Sequence, residues 1–176
     1  MAEKIYTHES HDRERLKNDI AIIHLRKTIP LDGNVSLACL SPADLINEPL
    51  REGDALIASG WNKSNLKSSM ASVGSQQVHL QYISENHPLC TSLLGCEDNQ
   101  RAGQMCADFP AKPFSSFDNG GSLVRFLRHS NGKTYWQQVG IVSQINNSGR
   151  NSNLTNLFTR VDYFNAWIYE KIRFSL

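Results

Sequence analysis

The pattern of hydrophobic and polar positions indicates short β-strands over most of the chain. Five segments of six to eight residues are apolar or alternate between polar and apolar side chains: 20–25, 54–61, 77–83, 122–127 and 135–142. The dipeptide Asn131-Gly132, between the last two segments, favours the positive φ angles of a tight hairpin. These features together predict an all-β sandwich or barrel.

The end of the chain has a different hydrophobic period. Apolar side chains recur there at helical spacing, at Val161, Phe164, Trp167, Ile168 and Ile172. The spacing predicts an amphipathic helix from about Asp162, with Asp162 as its N-cap. We expect the apolar stripe of this helix to pack on the barrel.

Composition narrows the class of protein and of partner. The 176 residues are 40% hydrophobic and 20% charged, which suits a folded globular chain. The formal net charge is +1, so we expect neither nucleic acid nor an anionic membrane as a partner. The longest apolar runs, 20–23 and 56–58, are far shorter than the roughly 20 residues of a membrane span. The opening residues, Met-Ala-Glu-Lys, do not resemble a secretion signal.

The cysteines favour a disulfide over a metal site. Neither they nor the six histidines have the spacing of metal ligands, so we expect no metal and no cofactor. Three of the four cysteines lie close together in a loop-rich region, which suits one disulfide. They are Cys39, Cys90, Cys96 and Cys106. Four Asn-X-Ser/Thr sequons weakly favour an extracellular glycoprotein, because such tripeptides also arise by chance. They begin at Asn34, Asn62, Asn146 and Asn153.

Several segments carry a resemblance to one enzyme family. Residues 18–25 read N-D-I-A-I-I-H-L, 58–61 read A-S-G-W, and 117–122 read F-D-N-G-G-S. Residues 140–143 and 158–161 read G-I-V-S and F-T-R-V. In order and spacing these segments resemble the aspartate strand, second-barrel start, nucleophile loop and closing strands of the trypsin/chymotrypsin-like serine proteases. In character the chain is most similar to the arthropod clip-type serine protease homologues.

The resemblance implies an all-β double barrel followed by a C-terminal α-helix. Residues 1–38 would be a remnant of the first barrel, 39–52 the linker, 53–161 the second barrel and 162–174 the helix. Only eighteen residues precede Asp19, so we expect an N-terminally truncated domain with an incomplete first barrel. Its leftover strands should expose apolar faces and unpaired edges.

The nucleophile loop departs from the family pattern at two positions. Asn119 stands where the family has its serine nucleophile, and an amide is not nucleophilic. Phe117 replaces the glycine whose N–H is one of two oxyanion donors, in a loop that uses glycine-only geometry. Asp118, Gly120 and Gly121 keep the family's residues. The resemblance therefore implies a loop that keeps the family's backbone conformation but lacks the nucleophile and one oxyanion donor.

The other catalytic positions are only partly filled. Asp19 lies where the family has the aspartate that orients the catalytic histidine. The histidine segment, A-A-H-C, is not in this sequence, and we interpret His8 and His11 as surface residues. A neighbouring serine would need a shifted alignment to act as nucleophile. These serines are Ser115, Ser116 and Ser122.

The substrate pocket and the disulfides of the family are altered as well. By resemblance the base of the pocket falls at Pro113, which offers no carboxylate to a basic substrate side chain. The pocket walls fall at Ser143, Gln144 and Ile145. Two family disulfides have lost both cysteines, and their positions are Ser115 with Ser148 and Leu56 with Arg125.

The remaining cysteines are assigned by the same resemblance. Cys90 and Cys106 match the disulfide that closes the loop before the nucleophile, with Cys96 as the alternative partner. Cys39 matches a position that bonds a light chain or regulatory domain in many relatives. We therefore expect the partner of Cys39 to lie outside this chain.

These observations predict a catalytically inactive serine protease homologue that acts as a secreted binding or regulatory protein in a proteolytic or immune cascade. Its expected partner is a protein: a protease, a zymogen, or an N-terminal segment joined through Cys39. Loops such as 62–76 and 145–153 would contact it. One alternative is a trypsin-like endopeptidase known from an incomplete sequence. The other is a truncated product without independent function.

Overall fold

The computed structural model describes residues 1–40, 49–61, 75–94, 102–108, 119–128, 131–144 and 156–173. Eight strands lie within these ranges: β1 (Ala2–Thr7), β2 (Ala21–Leu25), β3 (Ala55–Trp61), β4 (Ser75–Ile83), β5 (Gln104–Asp108), β6 (Ser122–Arg128), β7 (Thr134–Gln144) and β8 (Asn156–Arg160). The described helices are α1 (Pro88–Leu94), a one-turn 3-10 helix (Asp162–Phe164) and α2 (Asn165–Arg173).

Six strands close into an antiparallel barrel in the order β3-β4-β5-β8-β7-β6. Closure removes the sheet edges that would otherwise be left unpaired. Every barrel strand contributes a fully buried side chain to the interior: Leu56, Leu80, Met105, Leu123, Val142 and Phe158. The sequence prediction of an all-β barrel fold with a C-terminal helix is therefore confirmed.

Strands β1 and β2 form a separate antiparallel sheet of two strands. Ile5 lies opposite Ile23, and Thr7 lies opposite Ala21. Side chains alternate between the two faces of a strand, so Ile5 and Ile23 share one face. They are 59% and 58% exposed. The prediction of an exposed apolar face on these first strands is confirmed for the described residues.

The opposite side of this N-terminal sheet rests on the C-terminal helix. Ile20 is buried in one cluster with Val161, Phe164 and Ile168. Thr159 Oγ1 donates a hydrogen bond of 2.8 Å to the Asp19 carbonyl oxygen. The buried apolar cluster and the polar contact together join the N-terminal segment to the last strand and helix of the barrel.

The start of the C-terminal helix differs from the prediction. Asp162 begins a 3-10 turn and α2 begins at Asn165, so Asp162 is not the N-cap of the α-helix. The Asp162 carboxylate instead accepts hydrogen bonds of 2.8 and 3.1 Å from the Arg160 guanidinium. These bonds raise the pKa of Arg160 further above its usual value. A cap assignment from spacing alone missed this competing cation two residues earlier.

The pairing of Cys90 with Cys106 is confirmed. Their disulfide joins α1 to β5, and both residues are fully buried. The chain-entropy relation gives a closed loop of this size about 3 kcal/mol of stabilisation. Cys39 is a free, exposed cysteine whose backbone is hydrogen-bonded to Trp136 and Gln138. Cys96 lies outside the described residues.

The hairpin between β6 and β7 bends on one of its two predicted residues. Gly132 has φ of +80°, whereas Asn131 is not among the residues of positive φ. The Asn131 side-chain oxygen instead accepts a hydrogen bond of 3.0 Å from the Lys133 N–H. The turn is thus made by a side-chain to backbone bond and a single left-handed glycine.

Leu56 and Arg125 lie side by side on neighbouring strands. Ile57 is opposite Val124, which brings Leu56 next to Arg125 at the following position. The Arg125 side chain is largely buried, and its Nε donates a 2.7 Å hydrogen bond to Gln137 Oε1. Its Nη1 lies 3.8 Å from Asp54 Oδ2. The contact with Asp54 joins β6 to the residue before β3, and the hydrogen bond to Gln137 joins β6 to β7.

None of the described helices is long and apolar enough to cross a lipid bilayer.

Candidate functional site

The segment before β2 places Asp19 beside the barrel. Asn18 has φ of +52°, a left-handed conformation that asparagine tolerates better than most residues. Its Nδ2 donates a 2.8 Å hydrogen bond to the Ser10 carbonyl oxygen. The Ile20 N–H bonds back to the Asn18 carbonyl oxygen at 2.9 Å. This tight bend fixes the direction in which the Asp19 side chain leaves the chain.

The Asp19 carboxylate meets a serine of the barrel. Ser143 Oγ donates a 2.7 Å hydrogen bond to Asp19 Oδ2. Ser143 lies near the end of β7 and is only 5% exposed, whereas the Asp19 side chain is 37% exposed. A charged acceptor makes this a strong hydrogen bond, and it ties residues that are 124 positions apart.

The described part of the segment that we predicted to be the nucleophile loop begins at Asn119. Gly120 has φ of +85°, and its N–H donates a 2.8 Å hydrogen bond to the Val142 carbonyl oxygen. The Val142 N–H in turn bonds to the Gly121 carbonyl oxygen at 2.8 Å. The two bonds hold Gly120 and Gly121 against β7, and the neighbouring Asn119 is exposed.

Asp19 and Asn119 line the same cavity, although they are a hundred residues apart in sequence. The cavity has a volume of about 670 Å³ and lies between the N-terminal sheet and the barrel. Its walls are mostly aliphatic, and Ile22 and Ile141 contribute from the two sides. A concave apolar space with a few polar groups at one end is typical of a binding site.

His11 also lines this cavity, which sequence reasoning missed. Its Nδ1 lies 4.0 Å from Asp19 Oδ1, and its side chain is 37% exposed. The prediction of a surface residue agrees with this exposure, although it did not place the ring beside Asp19. The loop turns back because the Asp12 and Lys17 backbones bond to each other at 2.9 and 3.1 Å. The spacing of residues in the sequence does not predict the approach of His11 to Asp19.

His8, which we predicted to be a surface residue, is only partly exposed. Its ring centroid lies 5.2 Å from the Trp167 ring and 5.5 Å from the Phe164 ring. It is half-buried on the C-terminal helix and is not among the described residues that line the cavity. His8 thus contributes to docking of the N-terminal segment.

Ser122 and Gln144 are not among the described residues that line the cavity. Ser122 is the first residue of β6 and lies opposite Ile141. Gln144 ends β7, is exposed, and lies opposite Leu157. The other predicted site residues lie outside the described residues: Pro113, Ser115, Ser116, Phe117, Asp118, Ile145 and Ser148.

The described residues hold no group of three or more His, Cys, Asp or Glu side chains that could bind a metal ion. The polar side chains that line the described part of the cavity are the Asp19 carboxylate, the His11 imidazole, the Thr7 hydroxyl and the amides of Asn119 and Gln138. A carboxylate with a hydrogen-bonded serine can hold a positive charge or orient a base. The Asn119 amide can donate and accept hydrogen bonds but supplies no nucleophile.

Comparison with known proteins identifies the family. Residues 1–168 match the family model described as Trypsin. The chain belongs to the trypsin family. Similar proteins include chymotrypsin-C of Rattus norvegicus and of Mus musculus, at 32% and 33% identity, and clotting factor C of Tachypleus tridentatus, at 29%.

The similarity covers nearly the whole chain but only part of these relatives. The alignments span 96% of this chain, 60% of either chymotrypsin-C and 17% of clotting factor C. The family assignment therefore rests on residues 1–168, the part of the chain that the family model matches. The activities in the relatives' names belong to proteins of which this chain matches a part.

Proposed function

We propose that this trypsin-family chain is a catalytically inactive homologue that acts as a binding or regulatory protein. The class is that of the non-catalytic serine protease homologues, including the arthropod clip-type proteins that the sequence resembles. Its partner in this proposal is a protein of a proteolytic or immune cascade, and it needs no cofactor.

Asn119 carries the proposal. It lines the same cavity as Asp19, at the loop position where the family has its nucleophile. Acyl transfer requires a group that attacks the substrate carbonyl, and a neutral amide cannot supply one. This argument concerns a residue within the loop, so it holds whatever sequence precedes or follows the chain.

The contacts of Asp19 do not supply a nucleophile in place of Asn119 among the described residues. Ser143 Oγ donates a 2.7 Å hydrogen bond to Asp19 Oδ2, and His11 Nδ1 lies 4.0 Å from Asp19 Oδ1. A serine nucleophile gives its proton to a histidine base during attack. The Ser143 hydroxyl is hydrogen-bonded to the carboxylate instead, so this contact does not prepare it for attack.

We place the protein outside the cell. The buried disulfide between Cys90 and Cys106 suits an oxidising compartment. Asn34 begins the one sequon that lies within the described residues, and it is exposed and so accessible to glycosylation. Cys39 is exposed and in this proposal bonds a partner polypeptide.

The first test is labelling of the full chain with a fluorophosphonate probe, which reacts with activated serines. We expect no labelling of the wild-type chain. We also expect the Asn119→Ser variant to hydrolyse neither peptide amides nor esters, because one hydroxyl does not supply a positioned base. Active trypsin serves as the positive control for the probe.

Labelling of the wild-type chain at a single serine would overturn the proposal and favour the endopeptidase alternative. Hydrolysis by Asn119→Ser alone would contradict the expected lack of a positioned base, and it would assign the inactivity of the wild-type chain to Asn119. Covalent capture of a second polypeptide by Cys39 in the natural source would support the binding role over a product without function.

A further inference from the structure

We propose that the cavity beside Asp19 binds a basic side chain carried on an apolar segment of a partner polypeptide. This inference rests on the binding function proposed above and specifies the chemistry of the partner. The occupant is a Lys or Arg side chain with aliphatic neighbours.

Charge in the cavity favours a cation. Asp19 is the one carboxylate among the described lining residues, and those residues include no Lys or Arg. Its Oδ2 accepts a 2.7 Å hydrogen bond from the Ser143 hydroxyl, while the His11 ring lies 4.0 Å from Oδ1. A distance of 4.0 Å is too long for a hydrogen bond. Within the described part of the chain Oδ1 has no hydrogen-bond donor, so it can accept a bond from a ligand.

The walls favour a ligand whose charge sits on an aliphatic stem. Nine of the fifteen lining residues are aliphatic, including Ile20, Ile22, Ile141 and Val161. Lys and Arg side chains carry apolar stems that pack on such walls while the charged head reaches a polar group. A small inorganic cation would leave these walls in contact with water, which is unfavourable.

The surface beyond the cavity favours a polypeptide over a free amine. Ile23 lines the cavity and is also 58% exposed, and its cross-strand neighbour Ile5 is 59% exposed. The apolar surface therefore continues from the cavity along the N-terminal sheet. A peptide with aliphatic residues beside its basic one can cover that surface, whereas a lone amine cannot.

A matched pair of fluorescein-labelled peptides tests the proposal on the full chain. One is Leu-Val-Lys-Ile-Val, capped at both ends, and the other has norleucine in place of its lysine. We expect fluorescence anisotropy to show at least about fivefold tighter binding of the lysine peptide at low salt. The preference should decrease at high salt, because a partly exposed charge is screened.

Three variants assign that preference to Asp19. Asp19→Asn keeps an oxygen for the Ser143 hydrogen bond and removes the charge. The lysine and norleucine peptides should therefore bind this variant with about equal affinity. Ser143→Ala keeps the charge and removes the hydrogen bond that orients it, so the preference should fall less than in Asp19→Asn. Glu14→Gln removes an exposed carboxylate that is not among the lining residues, and it should bind like the wild type. Thermal unfolding of each variant verifies that it is folded.

Equal binding of the two peptides, or no binding of either, would overturn the inference. A lysine preference that persists in Asp19→Asn would overturn it as well, because the cation would then be recognised elsewhere. Hexylamine is the third probe, and if it binds as tightly as the lysine peptide, the assignment to a polypeptide is wrong. Failure of the proposed function is separate, since serine-probe labelling can occur with or without a lysine preference.

Discussion

Gly103 shows how strictly a single position can be specified at the contact between the barrel and the C-terminal helix. Its φ is +79°, a conformation that residues with a side chain rarely adopt. A Cβ added there would lie 2.8 Å from the Phe164 ring and 2.9 Å from the Tyr163 ring. The residue must therefore be glycine for two independent reasons.

We predict that Gly103→Ala lowers the free energy of unfolding by about 3 kcal/mol, from left-handed strain and overpacking together. Gly53→Ala is the matched control, since Gly53 has φ of +85° and nothing within 4 Å of an added Cβ. The control should lose only about 1 kcal/mol in urea denaturation. Equal losses in the two variants would contradict the packing argument.

Some residues of the site could be predicted from sequence, and others could not. The motif around Asp19 and the one around Asn119 were recognisable, and the structure brings both residues to one cavity. His11 was missed because its position depends on a left-handed Asn18 and on backbone bonds within the preceding loop. Tertiary contacts of this kind leave no periodic trace in the sequence.

At the scale of elements, the docking of the N-terminal segment on α2 is partly electrostatic. Glu9 Oε1 lies 2.5 Å from Lys171 Nζ, and Glu9 Oε2 accepts a 2.9 Å hydrogen bond from Trp167 Nε1. The Lys171 hydrogen bond is the largest cause that lowers the pKa of Glu9 to about 2. Glu9 is therefore ionised in the docked state over a wider pH range than in a free chain.

This lowered pKa predicts an acid-induced loosening of the docked segment. A carboxylate whose folded pKa is depressed contributes fully above its ordinary pKa of 4.5, and the contribution is lost as pH falls toward about 2. We expect the indole N–H resonance of Trp167 to shift over this window. Trp136 is the internal control, because its indole makes no bond to Glu9 in the described structure.

The Glu9→Gln variant should show no such titration of the Trp167 resonance. A midpoint near 4.5 in the wild type would contradict the ion pair, since it would mean that Glu9 titrates as a free side chain. Because Glu9 is exposed, the prediction concerns the pH at which the contact changes and not a large change in total stability.

Element boundaries were predicted unevenly, for reasons that particular elements make clear. Strands β3, β6 and β7 have the alternating or buried pattern that their sequence suggested, because burial decides both pattern and structure. The start of α2 was misplaced by three residues, since Arg160 binds the acidic side chain that would otherwise have capped it. The capping preference of Asp162 is therefore not realised, because its side chain pairs with Arg160.

At the scale of the whole molecule, apolar residues are divided unequally between the two sides of the N-terminal sheet. Ile20, the residue before β2, is 7% exposed and packs in the cluster around Phe164, whereas Ile23 within β2 is 58% exposed. We therefore expect Ile20 to contribute to the free energy of unfolding and Ile23 to contribute little. A buried isoleucine stabilises by leaving water, and an exposed one does not.

We predict that Ile20→Thr lowers the free energy of unfolding by about 2 kcal/mol, because it removes buried apolar surface and introduces a hydroxyl. Ile23→Thr should stay within about 0.5 kcal/mol of the wild type and reduce binding of the dye ANS, which reports exposed apolar surface. Urea denaturation and dye titration measure the two effects. A large loss of stability in Ile23→Thr would mean that this face is covered.

The contacts of Glu9 with α2 also set an order of events during synthesis. Glu9 and Trp167 are 158 residues apart in the sequence. A ribosome that adds about 5–20 residues per second therefore synthesises Trp167 roughly 8–30 s after Glu9. Through that interval the N-terminal strands have neither their ion pair nor the cluster around Phe164. Their exposed isoleucines are then available to chaperones, and the segment can be seated only after α2 has been made. The N-terminal strands are therefore made well before the helix that secures them.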